Sequence, residues 1–232
     1  MRNLYGLRWL FHVSAVIVVA EICACAVVGA LPFGGDSWQE EVLLHDGRKL
    51  VVERSQSYGG GHEIGQPSPI KEHSIAFMLP ESGKRITWTS EYDESLGGTN
   101  LKPLALHILK NTPYIVVTPN LMLSYNKWGR PNPPYVFFKY EDGGWKRIGI
   151  ETFPPEFKNI NLVISTLAHR KILNHQGFVS LEMVAKLNSS LTQVEYKTIH
   201  RAPLEHWKLR PESKGPTTPS PMMPAETTQG NQ

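Results

Sequence analysis

The sequence predicts a mainly β domain: an antiparallel sandwich, barrel or propeller-like array of sheets, built from about four hairpins and closed by a short helical C-terminal segment. A mixed α+β fold is the alternative. Three observations carry this expectation. Past the N-terminal segment, apolar residues recur with period two, the spacing that turns one face of a strand toward a core. Turn-forming residues punctuate the pattern at Asp46-Gly47, Ser82-Gly83, Asn111 to Pro113 and Asp142 to Gly144, each between two strand-like runs. No helical periodicity separates these runs, which argues against a parallel sheet of βαβ units.

The chain begins with Arg2 and Arg8 ahead of an apolar run from Trp9 to Leu31. Residues 1–31 therefore read as a signal sequence or a membrane anchor, outside the globular fold. The arginines precede the run and no basic cluster follows it closely, an asymmetry that leaves the N-terminus in the cytoplasm and carries the remainder across the membrane. Glu21 interrupts the run, and an acidic side chain near the bilayer centre costs about 2.5–3.5 kcal/mol on insertion scales, which weakens a retained span. Trp9 to Ala20 has the length of a signal-peptide core, and Ala24 and Ala26 offer a cleavage site of the A-x-A kind. "ICAC", Ile22 to Cys25, loosely resembles a lipobox, which makes Cys25 a lipidation candidate, although Cys23 stands where a small residue is usual. The other reading of the pair is two residues that an apolar segment tolerates. With Cys23 and Cys25 the only cysteines, the exported part has no disulfide, Cys–metal site or cysteine nucleophile.

Residues 32–37 read as a linker and 38–210 as one mainly β domain. Asp46-Gly47 is the strongest short hairpin signal in the chain, because both central residues of the favoured turn need positive φ. After residue 155 the rhythm changes. "NINLVIST" is compatible with one more strand, and "SLEMVAKLNSSL" sets Leu181, Val184, Leu187 and Leu191 on one helical face with Ser180 placed to cap it. Thr192 and Glu195 have capping-box spacing for a second short helix. Residues 211–232, rich in proline and small polar residues, read as a disordered tail.

"YNKWGRPNPPYVFFKY", Tyr125 to Tyr140, crowds aromatic rings and three prolines together. Proline fixes its own φ and pushes the preceding residue, here Arg130 or Asn132, toward extended conformations. Tyr125, Trp128 and Arg130 are residue types enriched at binding hot spots, and a stiff loop loses little entropy on association. The structural alternative is a corner that packs Trp128 over a sheet end and delivers a core strand, for Val136, Phe138 and Tyr140 share one face and Tyr135 and Phe137 the other.

The remaining chemistry is sparse. A net charge of +3, from 24 basic and 21 acidic residues, lacks the electrostatic footprint of a nucleic-acid binder. "YGGGHEIGQPSP" brings His62 and Glu63 beside a glycine run that could admit an anion, but Pro67 and Pro69 bar the helix that a phosphate loop requires. A plain loop is the other reading. The histidines do not fall at the spacing that sets two rings on one helix face, so neither a metal nor a cofactor is expected. No G-x-S-x-G elbow is present.

"LLHDGRKLVVERS", "GGGHEIGQPSPIKEHSI", "YNKWGRPNPPYVFFKY" and "KLNSSLTQVEYKTI" resemble a family of exported proteobacterial proteins of no assigned function, over about residues 38–201. The resemblance implies a bacterial envelope address and supplies no activity, cofactor or site residue. The expectation is a cell-envelope protein held to the inner membrane by a span or a lipid, with a periplasmic domain acting as a non-catalytic binding or structural module. Its expected partners are the membrane, through the N-terminal segment, and an envelope protein. The competing class is a periplasmic enzyme with a site assembled around His62 and Glu63.

Overall fold

Burial alternates residue by residue along the first two strands, β1 (Asp36–Leu43) and β2 (Lys49–Tyr58), which pair antiparallel from Asp36↔Gln56 to Leu43↔Lys49. In this computed structural model, residues 35–60, 65, 68–94, 98–99 and 101–208 are described. The expected signal or anchor with Cys25, the loop pair His62 and Glu63, and the expected tail lie outside them. The turn joining β1 to β2 closes through Leu44 N–H donating to Arg48 O at 2.8 Å, with Gly47 at φ +85°, a left-handed backbone that glycine adopts without strain.

β3 (Ile70–Met78) and β4 (Arg85–Thr89) extend this meander around the Ser82-Gly83 turn. A two-residue ladder of β5 (Tyr92–Asp93) and β6 (Gly98–Thr99) leads to the second sheet. Its strands β7 (Leu101–Leu109), β8 (Thr112–Pro119), β9 (Val136–Glu141) and β10 (Gly144–Ile148) lie in the order β10-β9-β8-β7. The β7–β8 turn falls at Lys110-Asn111 (φ +47° and +60°), just ahead of the expected position because Pro113 already pairs with Ile108 inside β8. Asp142 and Gly143 (φ +51° and +83°) make the β9–β10 turn. Both hairpins thus have positive φ at both central positions, the twist that matches flanking strands.

The architecture is a two-sheet sandwich, and the sheets differ in environment. The outer face of the first is solvated: Glu53 on β2 and Arg85 on β4 pair across it at 2.6 Å, both about half exposed. The second sheet is covered on both sides, which explains why "LALHIL" and "YIVV" read as apolar runs without alternation. On its inner side Leu106, Ile108, Ile115 and Val117 meet Val42, Val52, Ile75, Phe77 and Trp88 of the first sheet. On its outer side Leu104, Tyr114, Val116 and Phe137 receive Phe153, Phe157, Ile164 and Ile199 from the C-terminal segment.

Among the described residues four short helices complete the fold: α1 (Leu121–Lys127), α2 (Arg170–Gln176), α3 (Leu181–Asn188) and α4 (Glu205–Lys208). Ser180 caps α3 as expected, its hydroxyl accepting from Met183 N–H at 3.4 Å. β11 (Phe178–Val179) joins the first sheet parallel to β1. Val184 and Leu187 of α3 pack with Leu173 and Val179 on Trp38. Among the described residues no helix is long and apolar enough to cross a membrane.

Four local expectations need correction. β1 starts at Asp36, inside the stretch read as a linker, because the buried Asp36 carboxylate accepts from Tyr58, from Asn174 at 2.6 Å and from Arg170 at 2.8 Å. "NINLVIST" forms an isolated bridge, Asn159↔Thr198, instead of a strand. Side chains occupy the backbone groups that a ladder would use: Asn161 bonds both N–H and O of Leu106, Asn188 bonds Ile164 N–H and Leu162 O, and Glu40 accepts from Val163 N–H at 2.6 Å. The second C-terminal helix is a single 3-10 turn, Val194–Tyr196, in which Glu195 does not cap but accepts from Trp207 Nε1 at 3.0 Å. Arg130 is left-handed at φ +52° instead of extended, because its N–H turns back to Tyr125 O (2.9 Å) to close α1.

Glu40 also forms a salt bridge with Arg54 at 3.0 Å, both side chains fully buried. Removing one partner of such a pair leaves an uncompensated charge, a loss of about 3–5 kcal/mol. Arg54→Met should therefore lower the unfolding free energy by that amount in urea titration; a loss below about 1 kcal/mol would show that Glu40 does not depend on its cation.

Candidate functional site

The aromatic corner forms a tightly bonded cluster at the end of α1. Tyr125 is buried at the end of α1, its ring 4.8 Å from Trp207 and under the Arg130 guanidinium at 5.4 Å. Arg130 Nη1 donates to Asn126 Oδ1 at 3.0 Å. Trp128 is half-buried edge-on to Phe138 at 6.1 Å, and the Arg147 guanidinium lies 5.2 Å from its ring. Asn132 fastens the corner to the C-terminal segment, accepting from Leu204 N–H at 2.7 Å and donating to Leu204 O at 3.1 Å. The structure thus brings Tyr125 and Arg130 together and places Trp128 separately, against the inter-sheet core.

A second place emerges from the inner face of the first sheet. Along β2, Leu50 and Val52 are followed on the same face by Arg54 and Gln56; along β1, Val42 gives way to Glu40 and Asp36; along β3, Ile75 gives way to His73. All these polar side chains are buried. In register, His73 lies opposite Gln56, and Gln56 opposite Asp36.

Next to this polar end opens a cleft of about 410 Å³, within the range of small-molecule sites. Three parts of the fold wall it: Ile70 and His73 of β3; Lys102 near the start of β7 together with Asn120 and Leu121 at the entry to α1; and residues 164–168 of the irregular segment. His73 and Thr166 are 1% and 2% exposed, yet His73 Nδ1 and Thr166 Oγ1 have no hydrogen-bond partner among the described residues. A buried polar atom left so costs about 1–3 kcal/mol, so two lining one cleft mark it as more than a packing gap. Leu121 adds a third anomaly, being 79% exposed and held at φ +65°. For a residue other than glycine that backbone costs on the order of 1–3 kcal/mol, and such strain concentrates at ligand-binding positions.

The electrostatics are those of a partly desolvated cationic pocket. Burial pushes the His73 imidazole down to about 3, assisted by the positive charges of Arg54 and Lys102, so the ring is neutral at pH 7. Burial also pulls Lys102 below its ordinary value. Asp36 moves the other way: burial would raise it, but hydrogen bonds from Tyr58, Asn174, Gln56 and Arg170 outweigh that and hold it below the usual carboxylate value.

Across the second sheet, His107 stacks on Phe157 at 4.6 Å and Nε2 bonds Asn159 O at 3.0 Å; burial lowers it to about 4. Among the described residues no group of three His, Asp or Glu side chains is placed to hold a metal ion.

Sequence reasoning missed His73, Lys102 and Thr166 as a group. Part of the signal was present, since an inward strand face that runs Leu50, Val52, Arg54, Gln56 announces a buried charge. Lys102 and Thr166 left no such mark, because the segments carrying them meet β3 only in the folded chain. No protein-family model matches the chain, and no curated protein or solved structure is similar to it.

The two buried histidines set a pH dependence. Their folded-state values, about 3 for His73 and about 4 for His107, lie below the unfolded value of 6.5. The unfolded chain therefore binds the extra protons, and the stability present above pH 6.5 is lost as pH falls through that value toward 4 and then 3. Unfolding free energy should drop between pH 6 and pH 4.5, and His73→Gln should flatten that drop by about 1.4 kcal/mol per pH unit. Superimposable profiles for the two proteins would contradict burial of a neutral His73.

Proposed function

We propose that the protein is a non-catalytic binding module of the bacterial cell envelope, with its β domain on the periplasmic side of the inner membrane, and that the cleft between β3, β7 and residues 164–168 receives a small ligand. The observation that carries this reading is the pair of buried, unpartnered atoms, His73 Nδ1 and Thr166 Oγ1, in a cleft of about 410 Å³. Taking roughly 30 Å³ per water-sized atom, the space suits a ligand of about a dozen non-hydrogen atoms. Binding is favoured over acid–base catalysis by His73 itself. A general base works best with a pKa near the operating pH, and an imidazole at about 3 is far below it. The envelope address rests on Arg2 and Arg8 ahead of the apolar run and on the cleavage and lipidation signals near Cys25. An envelope protein partner belongs to the same proposal, with the partly exposed Trp128 and Arg130 as its contact.

Two measurements test these statements. Methyl NMR of the full chain in nanodiscs, titrated with hexanoate, 1-hexanol and hexylamine, should show saturable shifts at Ile70, Leu121 and Ile164 with at least one of them. Ala168→Trp, at an exposed wall position, should abolish those shifts and leave the melting temperature unchanged. No saturable shift with any of the three would remove the ligand-binding reading. For the address, intact mass of the protein from a bacterial envelope fraction should give either a chain trimmed near Cys25 or Ala26 or a membrane-retained full chain; an untrimmed chain in the cytosol would refute it.

A further inference from the structure

If the cleft is a binding site, as proposed above, the pairing of the charges around it sets which chemistry it selects. Glu40 balances Arg54 at 3.0 Å and Asp36 balances Arg170 at 2.8 Å. Lys102 has no such counter-ion among the described residues, where only burial acts on its ammonium. It is the cation left over among the described residues at this polar end. The rest of the wall is largely apolar, with Ile70, Leu121, Ile164 and Leu167 exposing hydrocarbon to the space. Leu121 and Leu167 are 79% and 40% exposed, so the mouth itself is greasy.

We infer that the cleft binds an organic monoanion, a carboxylate carrying a short apolar body, with Lys102 Nζ as its counter-ion and the Thr166 hydroxyl and His73 imidazole as its hydrogen-bond partners. Each component answers an observation. A carboxylate restores the ion pair that Lys102 lacks and favours its charged form against the desolvation that opposes it. The Thr166 O–H can donate to a carboxylate oxygen, as can a neutral imidazole protonated at Nδ1. The hydrocarbon body covers Leu121 and Leu167 and removes apolar surface from water. A cationic ligand would meet the Lys102 ammonium and Arg54 behind His73. A neutral one would leave Lys102 unpaired.

Isothermal titration of the full chain in nanodiscs separates the possibilities. Hexanoate should bind roughly ten- to a hundredfold more tightly than 1-hexanol, the ratio expected of a charge-assisted hydrogen bond. Acetate, which has the head group without the body, should bind more weakly than hexanoate. Lys102→Met should abolish the preference for hexanoate and leave hexanol binding intact, whereas Lys102→Arg should retain most of it. Equal affinities for hexanoate and hexanol in the wild type, or tighter binding of hexylamine, overturn the anion assignment while leaving the cleft as a ligand site. Failure of all the probes to bind overturns both. A hexanoate preference that survives Lys102→Met would place the anion away from Lys102 and overturn the assignment of its counter-ion.

Discussion

A single carboxylate, that of Glu40, organises the polar end of this sandwich. It accepts from Trp38 Nε1 at 2.9 Å, from Arg54 at 3.0 Å and from Val163 N–H at 2.6 Å. These donors belong to β1, to β2 and to the irregular segment that runs on into residues 164–168. Burying a charge is costly unless its hydrogen-bonding capacity is met, so the position of each donor is constrained by the others. The cleft wall is consequently fixed from behind by an ion pair, and His73, Lys102 and Thr166 hold their places around a space instead of collapsing into it.

The same arrangement explains how a sheet with a half-polar inner face folds. The apolar half, Val42, Val52, Ile75 and Phe77, packs on Leu106 and Ile115 of the second sheet to form the hydrophobic core. Asp36, Glu40, Arg54 and Gln56 occupy the other half, where their bonds draw α2 and residues 161–164 onto the first sheet. Specific polar contacts there do the joining that side-chain packing does elsewhere.

Legibility in the sequence follows the range of the interaction involved. The four hairpins could be read because alternation and turn chemistry act over a few residues: Gly47 in the first turn, and Asp142 and Gly143 in the last, take the positive φ their turns require, whereas Asp46 does not need it. The Ser180 cap was readable for the same reason. Residues 159–166 were not, since "NINLVIST" is as apolar and β-branched as a strand, and its backbone is claimed by Asn188, 24 and 26 residues away, and by Glu40, 123 residues away. Glu195 shows the limit most simply. Its spacing from Thr192 suits a capping box, and a buried Trp207 nitrogen twelve residues on takes the carboxylate instead. The cleft depends entirely on such distant meetings, which is why His73 was visible as a histidine and not as part of a site.

The reach of β1 also bears on the order in which the chain can be completed. Asp36, Glu40 and Glu41 are among the first residues of the domain to leave the ribosome, and their partners at Asn174, Val163 and Leu181 lie 138, 123 and 140 residues further on. At about 5–20 residues per second, those partners emerge several seconds to nearly half a minute later. During that interval the meander can pair its strands but cannot satisfy its first one. The nascent protein therefore stays open along β1 until residues 163–181 have emerged, and that segment acts as the closing piece.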